Sequence, residues 1–187
     1  MASLVCVDLV AWGRELAGDL LAGPLPRRWA HTQGVAGRAE SIAHIVAADA
    51  DLLVCAAWLH DIGYAPHLVV TGFHPLDGAL YLRDTARADE RLYRLVAHHS
   101  CADIEARHRG FAWDLTFEFA PVGGLLAEAL TYCDMTTSPD GHPVDIDTRL
   151  AEIIDRYGPG HPVAESMREA RPRIAQAERM VRERLAA

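Results

Sequence analysis

The segment DLLVCAAWLHDIGY, residues 51–64, decides how the rest of the chain is read. From Leu52 to Leu59 it is apolar on every side, the pattern of a helix buried all round. It then closes on two adjacent polar side chains, His60 and Asp61. Stepping by four, Leu52, Ala56 and His60 form one stripe, and Leu53, Ala57 and Asp61 form the next. Both polar groups therefore continue faces that point inward. An ionised carboxylate there is costly unless it is paired, hydrogen-bonded or bound to a cation.

Outward from this segment, helical periodicity dominates and strand-like alternation is scarce. The spacing predicts helices over 3–20 and 26–47, a third over DLLVCAAWLHDI capped by Asp49 or Asp51, and a short fourth from Pro75 to Arg83. Further helices are predicted over 89–99, over ADIEARHRG with its closing glycine, and over 121–135, 145–157 and 162–185. Pro26 and Pro75 each fall in a first turn, where a missing N–H costs little. The exception is FAWDLTFEF, residues 111–119, whose alternating aromatics predict an extended, ordered segment packed on the helices; a mobile aromatic lid is the sharper form of that idea. The chain is thus expected to be all-α, a single domain over residues 1–187. Its core is expected over about 26–136, with C-terminal helices over 145–187 packing on it.

Composition limits what such a domain can do. The chain has 187 residues, half of them hydrophobic, and a formal net charge of −8. That suits one packed domain and disfavours long nucleic acid or an anionic membrane surface as partner. All 18 cationic residues are arginine, which leaves a fork-shaped cation available wherever an anionic substrate must be met. Cys6, Cys55, Cys101 and Cys133 form no C-x-x-C pair, so zinc knuckles and disulfide frameworks are disfavoured and a reducing, cytoplasmic setting is expected. No stretch of about 18 uncharged apolar residues predicts a membrane span. The amphipathic C-terminal helices leave room for a homodimer.

The ten histidines are where chemistry is to be sought. His31 shares a helix face with Val35 and Ile42. In VAHHS, His99 continues the face of Leu92, Leu95 and Val96, whereas His98 follows Arg91 and Arg94. Leu126, Leu130 and Asp134 step by four toward the interior, and His74 opens a helix after a loop. Singly, each histidine fits an ordinary core residue. Together His31, His60, Asp61, His74, His99 and Asp134 suit one or two transition-metal ions, iron, manganese or zinc, better than calcium or magnesium alone. His44, His67, His108, His142 and His161 lack such placement and are expected at the surface or at helix caps.

The ordered series His31, His60–Asp61 (in the form HDIG) and Asp134 resembles the HD-domain superfamily of helical, metal-dependent phosphohydrolases, over about Arg28 to Asp134. His74 and His99 resemble the extra ligands of its dinuclear subset, which includes diadenosine tetraphosphate hydrolases and cyclic-dinucleotide phosphodiesterases. RRWAHTQGVAGRA resembles the first-ligand helix of those hydrolases. The resemblance implies an HD-type bundle with a buried metal site: one ion on His31, His60, Asp61 and Asp134, a second on His74 and His99, and Asp61 bridging. It also implies that metal-activated water cleaves a small phosphorylated substrate, plausibly a nucleotide, with Arg28 clamping a phosphate oxygen. Asp61 and Arg28 are then the candidate catalytic residues, and Arg28 and Tyr64 the candidate substrate contacts. One departure is Tyr64, where many dinuclear members carry lysine; its default role is packing. That departure keeps open mixed-valent di-iron oxygenase chemistry on a small organic substrate, known in the same superfamily. A non-catalytic, metal-retaining module is a further alternative.

Overall fold

The computed structural model describes residues 8–187, and ten α-helices lie among them. Helix α3 (Ala50–Leu59) is the centre: every residue from Leu52 to Leu59 is buried. α1 (Leu9–Leu21), α2 (Pro26–Ile42), α5 (Glu90–His98) and α8 (Leu125–Met135) pack around it. α1 starts on Asp8, whose carboxylate accepts from the amides of Val10 and Ala11; the earlier start expected over 3–7 lies outside the described residues. By composition the segment Pro26–Tyr64 is apolar enough to cross a membrane. Here it is broken between α2 and α3, and its most apolar part is spent on the core.

Four helix boundaries differ from the sequence reading, each where the backbone leaves helical angles; α3, expected to run through Ile62, already ends at Leu59. The helix expected over 26–47 ends at Ile42 and passes into a 3-10 stretch, Ala43–Asp49, in which Ala47 takes φ 50° and turns the chain into α3. Asp49 stands at the start of α3, but its carboxylate binds Arg91 instead of capping helix amides. The helix expected over 89–99 ends at His98, because His99 is extended and Ser100 and Cys101 take φ 48° and 62°. α8 begins only at Leu125, after an irregular 121–124. Helices α4 (His74–Asp84), α6 (Ala102–Arg109), α9 (Ile146–Tyr157) and α10 (Pro162–Leu185) fall close to where the periodicity placed them.

The extended segment expected over 111–119 is instead a short helix, α7 (Ala112–Glu118). Alternation with period two contains a period of four, and that is the one the fold uses. Leu115 and Phe119 are fully buried one turn apart, beside a partly buried Phe111. Trp113 and Phe117, also one turn apart, stack on each other in solvent at 74% and 72% exposure. A second apolar cluster ties α9 and α10 to Cys101, Ile104 and Met135, so the C-terminal helices are anchored beside the end of α8.

Two measurements follow from this packing. Phe119→Ala is expected to lower unfolding free energy by about 3–5 kcal/mol, whereas Trp113→Ala and Phe117→Ala stay within about 0.5 kcal/mol. Denaturant titration of the three variants distinguishes the helix from an extended strand, in which all of these alternating aromatics would share one face. Burial also pushes the thiols of Cys55 and Cys101 up to about 12 and about 11, and that of Cys133 higher still. The folded chain therefore holds these protons above pH 9, where the unfolded chain releases them, and stability falls as pH climbs past 9. At pH 8.5, iodoacetamide should label these three cysteines only after denaturant is added, as read by peptide mass spectrometry.

Candidate metal centre

Asp61 follows directly on the last turn of α3, at 3% exposure, with its φ, ψ at −105° and 6°. The chain then makes a single 3-10 turn, Ile62–Tyr64, and Gly63 in that turn lies against the start of α4. A Cβ on Gly63 would sit 2.0 Å from the His74 carbonyl oxygen and 2.7 Å from the Gly78 nitrogen. Glycine at this position is thus what allows His74, the first residue of α4, to approach Asp61. Asp77 fixes the same helix end from the other side: buried, it accepts from the amides of Val70, Thr71 and Gly72 and from the Thr71 hydroxyl.

Five of the six expected ligands come together in two groups that share Asp61. His31, His60 and Asp61 form one; Asp61, His74 and His99 form the other. Asp61 Oδ2 lies 3.3 Å from His60 Nε2 and 3.8 Å from His31 Nε2, while Oδ1 lies 3.3 Å from His74 Nε2 and 4.0 Å from His99 Nε2. The sixth, Asp134 on α8, stands beside the first group with Oδ1 3.0 Å from His31 Nε2, and its Oδ2 accepts from the Ser100 hydroxyl. Of the neighbouring pair it is His99 that faces inward; His98 donates instead to the Phe119 carbonyl. The break in α5 is what divides them. His161 caps α10, and His44, His67, His108 and His142 are exposed, as their sequence placement implied.

The imidazoles are oriented as metal ligands are. His31, His60 and His99 each direct Nδ1 at a carbonyl, that of Ser138, Ala57 and Val96, at 2.9, 2.7 and 2.6 Å. In His60 and His99, Nδ1 then carries the proton and the Nε2 lone pair faces the cluster, whereas His31 turns Nε2 to the Asp134 carboxylate. His60 Nε2 is fully buried with no hydrogen-bond partner, and the Nε2 atoms of His74 and His99 face each other at 3.2 Å. An inward-turned, unpartnered imidazole nitrogen between carboxylates is a donor set that fits a transition-metal ion. The carbonyl behind His31 is placed by another close approach. Gly34 of α2 meets Gly141, a Cβ on Gly34 falling 2.4 Å from the Gly141 oxygen, so the 138–143 turn lies flat on α2.

Electrostatics point the same way. Burial pushes the Asp61 carboxyl up, but the Arg28 guanidinium and His60 outweigh it and hold it well below the usual carboxylate range. Burial likewise opposes ionisation of Asp134, and the His31 hydrogen bond with the charges of His60 and Arg149 overcomes it. His99 is pushed down to about 3 by burial and by its histidine neighbours, so it stays neutral across the physiological range. His60 is drawn up against burial by Asp61 and Asp134. A field that favours a proton on a fully buried imidazole also favours a cation in its place.

Arg28 donates to Asp61 Oδ2 at 2.7 Å and lies over the Tyr64 ring, 4.1 Å from its centroid. Tyr64 in turn stacks on His74 at 4.0 Å. The tyrosine ring thus lies between His74 and the arginine, and it also lines the recess at this cluster.

Several residues that line the site went unread in the sequence: Ser100, Glu105, Arg149, Arg156 and Tyr157. Arg149 had a signal. Ile146, Arg149, Leu150 and Ile153 share one face of α9, so the arginine interrupts an apolar stripe as His60 does in α3. No residue of 111–119 lines the recess at the ligands or the cleft beside it, so α7 is not a lid for this centre. The model of the HD domain family matches residues 28–159. No curated protein and no solved structure matches the chain.

The glycine contact gives a direct test. Gly63→Ala, by displacing His74, is expected to weaken metal binding at the His74–His99 group by about 10–100-fold, the cost typical of disturbing a ligand's support. Metal titration followed by elemental analysis reads this, and a variant with undiminished content and affinity would show that His74 is no ligand.

Proposed function

The chain belongs to the HD-domain family, and on that footing we propose that it is a metal-dependent phosphohydrolase that cleaves a small phosphate ester or nucleotide at a dinuclear centre. The observation that carries the reading is the sharing of Asp61 between two ligand groups. A carboxylate with one oxygen toward each group is the arrangement a bridging ligand needs, and Arg28 stands at its edge as a fork-shaped cation. Iron, manganese and zinc all suit this mixture of imidazole and carboxylate.

When bound, the ions would supply activated water and neutralise charge on a phosphoryl oxygen. The chain's own residues do the rest. Asp61 holds the two halves of the site in register, and the Nδ1 hydrogen bonds keep three imidazoles in a ligating orientation. Arg28 is placed to exchange its bond with Asp61 for a phosphate oxygen, and Tyr64 limits where its guanidinium moves. The net charge of −8 supports a small substrate rather than long nucleic acid.

Protein purified without oxygen, with its metals counted, is expected to release phosphate from small esters and to lose that activity on chelation. Asp61→Asn should lose metal from both groups; Arg28→Gln should keep its metal and lose about 10²-fold in kcat/KM. Iron content with substrate-dependent oxygen uptake and no phosphate release would replace this reading with the oxygenase one. Full metal content in both His31→Ala and Asp61→Ala would remove the site itself.

A further inference from the structure

Helix α9 contributes a cation that nothing in the ligand set explains. Arg149 is 4% exposed, yet its Nε–H is buried without a hydrogen-bond partner. Its Nη1 is held by Glu152 at 2.7 Å and its Nη2 lies 4.0 Å from Asp134 Oδ1. A buried guanidinium with one donor unsatisfied is expensive to maintain and is expected to have an acceptor in the working state. Arg156, two turns further along, reaches the same Glu152 side chain, its Nη2 lying 3.4 Å from the oxygen that Arg149 uses. The two charged ends are therefore neighbours held by one carboxylate, and Arg28 of α2 faces the same space.

That space has two parts. The recess at the expected ligands is about 70 Å³, and the cleft beside it is about 330 Å³. Arg28, Tyr64, Arg149 and Arg156 line both. The recess is too small for more than the reacting group, so the remainder of a substrate has to occupy the cleft, whose volume is at the low end for organic ligands. There it meets Arg156 beside the apolar Pro24, Leu25 and Pro139.

We propose that Arg149 and Arg156 form a two-cation wall that selects substrates carrying a second anionic group, phosphate or carboxylate, next to the reacting phosphate. Arg149 receives an oxygen of the reacting phosphate, which provides from α9 the cation that residue 64 does not. Arg156 receives the second anion and so sets specificity. The proposal rests on the phosphohydrolase reading for what reacts, but not for what binds.

The test uses the metal-loaded full chain and two matched pairs: glycerol 1-phosphate with 3-phosphoglycerate, and a nucleoside 5′-monophosphate with its 5′-diphosphate. In the wild type, the two-anion member of at least one pair should have a KM lower by about tenfold or more. Preference in the first pair alone identifies a carboxylate as the second group, and in the second pair alone a phosphate. Arg156→Gln, at an exposed position, should bring that ratio toward one through KM, with metal content unchanged. Arg149→Gln should lower kcat for both members. If no compound releases phosphate, the hydrolase reading fails, and the same pairs are compared by calorimetric binding, where the ratio and its loss in Arg156→Gln still decide the wall. No preference in the wild type, or an equal loss for both members in Arg156→Gln, overturns the proposal.

Discussion

A carboxylate that must stay ionised while buried organises this molecule. Asp61 sits where an all-apolar helix ends, and at 3% exposure little solvent reaches it to offset its charge. Four imidazoles and a guanidinium surround it because a lone buried charge would otherwise cost several kcal/mol. Those partners come from four segments, His31 and Arg28 from α2, His60 from the end of α3, His74 from α4 and His99 from the break after α5.

Much of this was legible in the chain because one signal recurs. A polar residue that continues an apolar stripe is directed inward, and the stripe reads correctly for His31, His60, His99 and Asp134. The signal has no memory of where a helix stops. It placed Asp61 on α3, whereas Asp61 lies in the turn beyond, and it ran α5 through His99, whereas the chain unwinds there. It also mistook 111–119, since period four hides inside period two and only burial against Phe73 and its neighbours chooses between them.

What the sequence could not reveal were contacts made through main-chain atoms, at long separation or short. Nothing local says that Ser138 will support His31, or that Asp77 will tie down the loop in front of His74. The share of α9 in the site was hidden differently. Its arginines carry no motif, and only the place of Arg149 in an apolar face, ending beside Asp134, marks it. The family match extends to residue 159, which takes in that helix as well as the ligands.

The contacts at Gly63 and Gly34 carry a consequence for how this sequence can change over time. At each, a single methyl group would collide with main-chain atoms that have no rotamer to escape into. Drift is therefore lopsided: the outer lining of the cleft can be rewritten one side chain at a time to accept new molecules, while the inner spacing is frozen at a few positions that bear no functional group at all. Descendants with altered tastes would be expected to differ on α9 and around Pro24–Pro26, and to agree at two glycines whose contribution is clearance.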